Sequence, residues 1–305
     1  MRQAVVVILC MYLVGIAGCG SSSSRSSDNG APPVTASEPA PSTPGESEPP
    51  ARLADSFGEP SSSQIRPGVE VVADGASCTS NFLFKLNEST VYLGVAAHCF
   101  SPDTNQGVDP CEASTLAIGT PVQIENAAHP GELAYSSWRA MQEVGETPGS
   151  AACIHNDFAL VKLDSRDLEN VHPATSAFGG PTALAGGLAP EGESIALYGR
   201  SPFHFGVREL EAMNGSVIGI APAGWAYDVL TDTPAISGDS GGPVLDSQGR
   251  ALAVTSALSV SLSLTPVRNS VTNLAMALRY AKENGFIHPN IALITWATFD
   301  DSGQL

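Results

Sequence analysis

The sequence predicts an all-β domain that ends with one C-terminal helix. Two observations favour this class. Glycine and proline are abundant, with 30 and 23 residues among the 305 of the chain. Short apolar runs also alternate with turn-forming residues, at Val91–Ala97, Phe158–Leu163, Ser194–Tyr198 and Leu252–Leu258. Such runs between turn signals are typical of a barrel or a sandwich rather than of alternating strands and helices.

The N-terminal segment has the pattern of an export signal. A basic start, Met-Arg, precedes an uncharged run from Ala4 to Ala17, which is shorter than the about 20 apolar residues of a membrane-spanning helix. The run ends in Ile-Ala-Gly-Cys at 16–19, which resembles the lipobox of bacterial lipoproteins. The resemblance implies that residues 1–18 are a signal peptide that is removed and that Cys19 carries lipid, including palmitate.

Lipidation would anchor the chain in a bacterial cell envelope. Because residue 20 is Gly and not Asp, the usual sorting pattern of a Gram-negative host predicts the outer membrane. The alternatives are an ordinary signal peptide with a chance cysteine at Cys19 and an uncleaved membrane anchor.

Residues 19–64 are predicted to be a disordered tether. From residue 20 onward they are dominated by Ser, Pro, Gly, Ala and Glu, and such a segment cannot bury enough apolar surface to offset its ordering entropy. As a flexible coil it would span about 35–40 Å on average. A cleaved pro-segment is the alternative.

Residues 65–305 suffice for one large all-β domain or two small ones. The helix near the end is predicted to have Ser270 as its cap and Gly285 as its stop signal. Between them lie apolar residues at Val271, Leu274, Ala275 and Leu278. In the tail 286–305, the run Ile291–Trp296 is interpreted as an additional strand.

The charge and the polar residues exclude some ligand classes. The net charge of −17 argues against nucleic acid, whose phosphates would repel the chain. The acidic stretch with Asp103, Asn105, Asp109 and Glu112 does not fit an EF-hand, because Val108 stands where that loop needs Gly. We interpret it as a surface loop, with a structural ion as the alternative. Neither a metal nor a cofactor is predicted, because the remaining histidines lack metal-ligand spacing and are interpreted as loop residues: His129, His155, His172, His204 and His288.

Four cysteines are available for disulfide bonds. Cys10 leaves with the signal peptide and Cys19 is assigned to the lipid. The four that remain are Cys78, Cys99, Cys111 and Cys153. An even number in an exported domain favours two disulfide bonds, because the compartment is oxidising.

Three short motifs supply the groups of a serine nucleophile triad. They are Ala-Ala-His-Cys at 96–99, Asn-Asp-Phe-Ala-Leu-Val at 156–161 and Gly-Asp-Ser-Gly-Gly-Pro at 238–243. A serine hydroxyl is a poor nucleophile near neutral pH and needs an adjacent base. Histidine suits this role because its pKa lies near the working pH. A buried carboxylate orients the imidazole and stabilises its protonated form.

The order His98, Asp157, Ser240 and the cysteines beside the histidine motif resemble the chymotrypsin-like serine proteases, most closely the bacterial members. The resemblance implies two six-stranded antiparallel β-barrels, at about 65–165 and 170–285, with the active site between them. It makes Ser240 the nucleophile, His98 the general base and acid, and Asp157 the orienting carboxylate. The backbone N–H groups of Gly238 and Ser240 would form the oxyanion hole.

The same resemblance places a disulfide bond between Cys78 and Cys99. Cys111 and Cys153 then remain to form the second bond. Both bonds would brace loops that carry members of the triad.

The chain departs from the family pattern at the partner of Asp239. Many animal members use a freshly cut N-terminus, but this chain has no Ile-Val-Gly-Gly start. By analogy with bacterial relatives, Arg200 is the candidate partner; the alternative is that Arg200 is a solvated turn residue. No activation by cleavage near Ile65 is therefore expected.

The substrate-binding residues implied by the resemblance are Pro234, Ser237, Ser256, Ala257 and Leu258. Pro234 stands where trypsin-like enzymes have an aspartate that selects Lys or Arg, and Ser256 matches the serine that supports the triad. Leu258 replaces the usual glycine of the pocket wall. These residues favour a small or apolar side chain in the substrate.

The sequence thus predicts a monomeric, surface-tethered serine endopeptidase that acts on a protein or peptide substrate. One alternative is an inactive binding or adhesion lipoprotein of the same fold, with Leu258 blocking the pocket. Another is a structural envelope lipoprotein. An α/β-hydrolase is excluded by order, because that fold needs its acid and its histidine after the serine.

Overall fold

The computed structural model describes residues 52–54, 56–103, 107–259 and 268–304, without the side chains of 257–259. The predicted signal peptide, Cys19 and Asn105 lie outside these residues. The last part of the predicted tether packs on the domain, because Leu53 is buried and its N–H donates to Glu88 O. The folded part therefore begins before Ile65.

Short strands dominate the fold, as the glycine- and proline-rich sequence predicts. The strands are β1 (Glu70–Ala73), β2 (Ala76–Thr79), β3 (Leu83–Asn87), β4 (Thr90–Val95), β5 (Pro121–Ile124), β6 (Gly131–Ser136), β7 (Ala159–Lys162), β8 (Ser194–Tyr198), β9 (Ala212–Ile220), β10 (Ala226–Thr231), β11 (Pro243–Asp246), β12 (Ala251–Ser259), β13 (Arg268–Asn273) and β14 (Ala292–Leu293). The four apolar runs noted in the sequence become β4, β7, β8 and β12.

The second half of the chain forms a closed six-stranded barrel in the order β10-β13-β12-β11-β8-β9. All six pairings are antiparallel. Its interior is filled by apolar side chains that alternate along the strands, such as Leu197, Met213, Val229, Val244 and Val271. This barrel confirms half of the expected architecture.

The first half differs from the expected barrel. Its strands form an eight-stranded sheet in the order β14-β3-β4-β7-β6-β5-β1-β2, and the sheet is not closed by strand pairing. The chain passes from β2, at one edge, to β3, near the other, through Ser80–Phe82. Within this connection the Ser80 N–H bonds Val69 O and the Asn81 N–H bonds Gly94 O. Ser80–Phe82 therefore separate β2 from β3 at the point where the chain passes from one side of the sheet to the other.

The C-terminal helix begins later than expected. The helices are α1 (Ser137–Val144), α2 (Ala151–His155), α3 (Arg208–Glu211) and α4 (Leu274–Glu283). Ser270 and Val271 belong to β13, because ladders with β10 and β12 hold them extended. Asn273 caps α4 instead, and its side chain accepts a hydrogen bond from the Met276 N–H. Gly285 follows the helix with a φ of 75°, as expected of a stop signal.

The tail confirms the additional strand, since β14 pairs with β3. The helices α1 and α2, which lie between β6 and β7, were not predicted from the sequence. No helix among the described residues is long and apolar enough to cross a membrane.

Candidate active site

His98 and Asp157 meet beside the first sheet. His98 lies in the short turn Ala97–Phe100 directly after β4, and Asp157 lies just before β7, which pairs with β4. Asp157 Oδ2 is 2.6 Å from His98 Nδ1, and Asp157 Oδ1 accepts the His98 backbone N–H at 2.9 Å. The Ser256 hydroxyl donates to Asp157 Oδ2 at 2.6 Å. The carboxylate thus fixes both the backbone and the ring of His98.

This contact sets the protonation of the pair. Burial disfavours the charged imidazolium, but the charge of Asp157 and its hydrogen bond outweigh burial and raise the pKa of His98. Burial likewise opposes ionisation of Asp157. The charge of His98 and hydrogen bonds from His98 and Ser256 nevertheless lower the pKa of Asp157. The carboxylate is therefore held ionised beside a histidine of raised basicity.

Ser240 shares a cleft of about 810 Å³ with this pair. His98, Asp157 and Ser240 all line the cleft, together with Trp138 and Phe203. The structure therefore brings the three sequence-predicted residues to one cavity. A hydrogen bond between Ser240 Oγ and His98 Nε2 stays a prediction.

The turn that carries Ser240 belongs to the barrel, but the first sheet holds it. The Thr79 N–H donates to Ser240 O at 2.8 Å, and the Thr79 hydroxyl donates to Gly238 O at 2.7 Å. Asn81 Nδ2 donates to Gly241 O at 3.0 Å. A side chain at Gly241 would collide with Thr79 O, and its φ of 88° favours glycine. The glycines of the motif therefore permit this close approach.

Two backbone N–H groups of this turn point to an anion site. Among the described residues, the N–H groups of Gly238 and Ser240 donate to no acceptor, whereas that of Asp239, which lies between them, donates to Ile236 O. Gly238 adopts a φ of 100°. Two free donors on either side of one residue can bind a single oxygen that carries developing charge.

Asp239 has a partner that the sequence analysis did not predict. His204 Nε2 donates to Asp239 Oδ1 at 3.0 Å and to Oδ2 at 2.8 Å. The side chains are 2% and 0% exposed, so His204 is a loop residue, as predicted, but a buried one. In the sequence, the only indication of this contact was the position of His204 shortly after Arg200, and His204 belongs to no motif.

Arg200 is neither the partner of Asp239 nor a solvated turn residue. Its guanidinium donates to Glu125 at 2.8 Å and to Glu211 at 3.2 Å. Glu125 follows β5 and Glu211 precedes β9, so this arginine joins the first sheet to the barrel. Both of its guanidinium contacts are thus with carboxylates other than Asp239.

The lining of the cleft contains some of the predicted substrate-binding residues. Ser237 and Ser256 line the cleft. Pro234 is not among its lining residues, although the next residue, Ala235, is. The side chains of Ala257 and Leu258 lie outside the described residues. Asn269, a buried residue that lines the cleft, was not predicted from the sequence. Its amide bonds both the N–H and the carbonyl of Ala235.

Both expected disulfide bonds are present, between Cys78 and Cys99 and between Cys111 and Cys153. In the nearby acidic loop, Asp103 accepts the Ser114 N–H, and Asp109 accepts two other backbone N–H groups. These carboxylates stabilise loop backbone.

The sequence matches a family of known peptidases, and solved peptidase structures show similarity to the chain. Residues 95–254, slightly more than half of the chain, match the family model of the trypsin-like peptidase domain. The Nocardiopsis protease NAPase is similar at 19% identity and a TM-score of 0.46, over 75% of this chain and 98% of that one. Cellulomonas bogoriensis chymotrypsin is similar at 19% identity and a TM-score of 0.45, over 76% of this chain and 99% of that one. No curated protein matches the chain in sequence.

The contact with Asp157 makes the titration of His98 testable by NMR. In the wild type, we expect the imidazole of His98 to titrate with a pKa above its ordinary value of 6.5. In Asp157→Asn, the attractive charge is lost while the burial stays, so the pKa should fall below that value. An unchanged His98 titration in this variant would contradict the assignment.

Proposed function

The chain belongs to the family of trypsin-like peptidase domains, and from this premise we propose that it is a serine endopeptidase with Ser240 as its nucleophile. The observation that carries the proposal is the hydrogen bond from His98 Nδ1 to Asp157, in the cleft that Ser240 also lines. With Nδ1 occupied as a donor, Nε2 of the neutral imidazole is left as the base.

The reaction begins with attack of Ser240 Oγ on the carbonyl carbon of the peptide bond. His98 Nε2 takes the hydroxyl proton, and Asp157 stabilises the resulting imidazolium. The carbonyl oxygen becomes an oxyanion and accepts hydrogen bonds from the N–H groups of Gly238 and Ser240. His98 then gives its proton to the leaving amine, and an acyl-enzyme on Ser240 remains.

The second half of the reaction uses the same groups. A water molecule attacks the ester carbonyl of the acyl-enzyme while His98 accepts its proton. Collapse of the second oxyanion releases the carboxylic acid and returns the proton to Ser240 Oγ. The enzyme is thereby regenerated without a cofactor.

The nucleophile is tested with a fluorophosphonate probe, which reacts with activated serines. We expect stoichiometric labelling of the folded wild type at Ser240 and no labelling of Ser240→Ala. His98→Ala should lower the labelling rate by about 10³-fold or more, because the hydroxyl loses its base. Absence of labelling in folded wild type would favour the non-catalytic binding or adhesion protein instead.

We propose that the enzyme prefers small or apolar side chains before the scissile bond. The described lining of the cleft includes Ala235, Ile236 and Trp138, and its carboxylates are the exposed Asp74 and the His98-bound Asp157. Pro234 supplies no carboxylate for a substrate cation. A buried Lys or Arg side chain would therefore lack a counter-ion.

This preference is tested by profiling cleavage of a peptide library. Peptides with Ala, Val or Leu before the scissile bond should have a kcat/KM at least about tenfold above those with Lys or Arg. The variant Pro234→Asp provides a matched comparison, since it introduces the missing carboxylate and should reduce the difference. A wild type that favours Lys or Arg would contradict the proposal.

We also propose that the domain is held in the cell envelope by lipid on Cys19, on the support of the Ile-Ala-Gly-Cys pattern at 16–19 alone. In a bacterial host fed an alkyne fatty acid, the wild type should incorporate the label and sediment with membranes. Cys19→Ser should do neither while its domain folds. Equal labelling of both proteins would exclude Cys19 as the lipid site.

A further inference from the structure

We propose that His204 is a positioning residue that acts through Asp239 to hold the N–H groups of Gly238 and Ser240 in place for the oxyanion. The proposal rests on the proposed serine endopeptidase function. It assigns a role to the buried histidine–aspartate pair that the chemical steps leave unused.

Asp239 connects two segments that border the cleft. Besides His204, its Oδ1 accepts the Ser201 N–H at 2.9 Å, and its Oδ2 accepts the Ile236 N–H at 2.8 Å. One carboxylate thus joins the start of the Ser240 turn to the loop after β8. Asp239 stands between the two N–H donors in sequence, so a rotation of its backbone changes the direction of both.

The loop that carries His204 is fixed to the same turn at a second point. The Ser201 hydroxyl donates to Ser237 O at 2.6 Å, and His204 ends the short turn Pro202–His204. Pro202 and Phe203 line the cleft beside Gly238. The loop and the Ser240 turn therefore form one hydrogen-bonded unit with His204 at its centre.

The surroundings of Asp239 leave little freedom for another arrangement. The backbone at Gly199, directly after β8, packs against the carboxylate of Asp239, because a side chain at this position would collide with that carboxylate. Burial raises the pKa of Asp239, and hydrogen bonds from Ile236, His204 and Ser201 oppose that effect. Loss of His204 would leave a buried carboxylate short of a donor, which is costly unless the group protonates or moves to water. Either response weakens the hydrogen bonds that the Ser201 and Ile236 N–H groups donate to Asp239, and with them the attachment of the Ser240 turn.

No other described cation replaces His204. Arg200 is the nearest in sequence, and its guanidinium is engaged by Glu125 and Glu211. Among the described residues, Asp239 is the charged group that His204 contacts. The pair of His204 and Asp239 therefore holds the Ser240 turn from within the domain, in the role that a freshly cut N-terminus has in many animal members of the family.

The experiment compares His204→Ala, His204→Gln and wild type in the full chain. Because the oxyanion forms only after attack, His204→Ala should lower kcat by about 10–100-fold while KM changes less than about threefold. A peptide aldehyde, which forms an oxyanion on Ser240, should bind more weakly by a similar factor. His204→Gln keeps a side-chain N–H donor and should recover most of kcat.

The matched control is His129→Ala. It removes another histidine–aspartate contact, 3.1 Å between His129 Nδ1 and Asp167 Oδ1, whose residues lie outside the cleft lining. This variant should keep kcat and aldehyde affinity, which separates positioning of the turn from a general loss of stability.

Hydrogen–deuterium exchange of residues 236–242 tests the same idea without activity. Faster exchange in His204→Ala than in wild type supports the proposal, and equal exchange overturns it. If wild type labels with fluorophosphonate and His204→Ala keeps its kcat, the role of His204 is wrong while the protease function stands. If wild type does not label, the protease function fails and the exchange result alone decides whether His204 holds the turn.

Discussion

The structure depends on the hydrogen bonds by which Thr79 holds the Ser240 turn. Asp157 and His98 belong to the first sheet, whereas Ser240 belongs to the barrel, so no local sequence sets the distance between them. The backbone N–H and the hydroxyl of Thr79 donate to Ser240 O and Gly238 O, and the bond to Gly238 O is buried. Each such bond contributes about 1 kcal/mol net, but leaving its buried groups unpaired costs more. These hydrogen bonds therefore fix the position of the Ser240 turn relative to the first sheet.

Two further features support this contact. The disulfide bond from Cys78 to Cys99 ties the end of β2, next to Thr79, to the residue after His98. The backbone N–H of Arg200 donates to the Thr79 hydroxyl at 2.8 Å, while the Arg200 guanidinium bridges Glu125 and Glu211. The disulfide bond therefore fixes Thr79 relative to His98, and the hydrogen bond from Arg200 fixes it relative to the barrel.

Two histidine–aspartate pairs flank Ser240, and their surroundings give them different chemistry. The pair of His98 and Asp157 lines the cleft, and there the histidine lowers the pKa of the carboxyl group. The pair of His204 and Asp239 is fully enclosed, and burial raises the pKa of that carboxyl group. The first pair is suited to moving a proton, and the second to holding backbone.

The sequence by itself predicted four of the strands and, through its resemblance to a known family, the two disulfide bonds and the three residues His98, Asp157 and Ser240 that line the cleft. It did so because each of His98, Asp157 and Ser240 stands in a short motif whose small or apolar neighbours are themselves required by the local geometry. Only the tertiary structure decided that α4 begins after β13, that the edge strands β2 and β14 of the first sheet do not pair, and that His204 rather than Arg200 contacts Asp239. These outcomes depend on contacts between strands and side chains that are far apart in the sequence. Such contacts cannot be inferred from the spacing of residues along the chain.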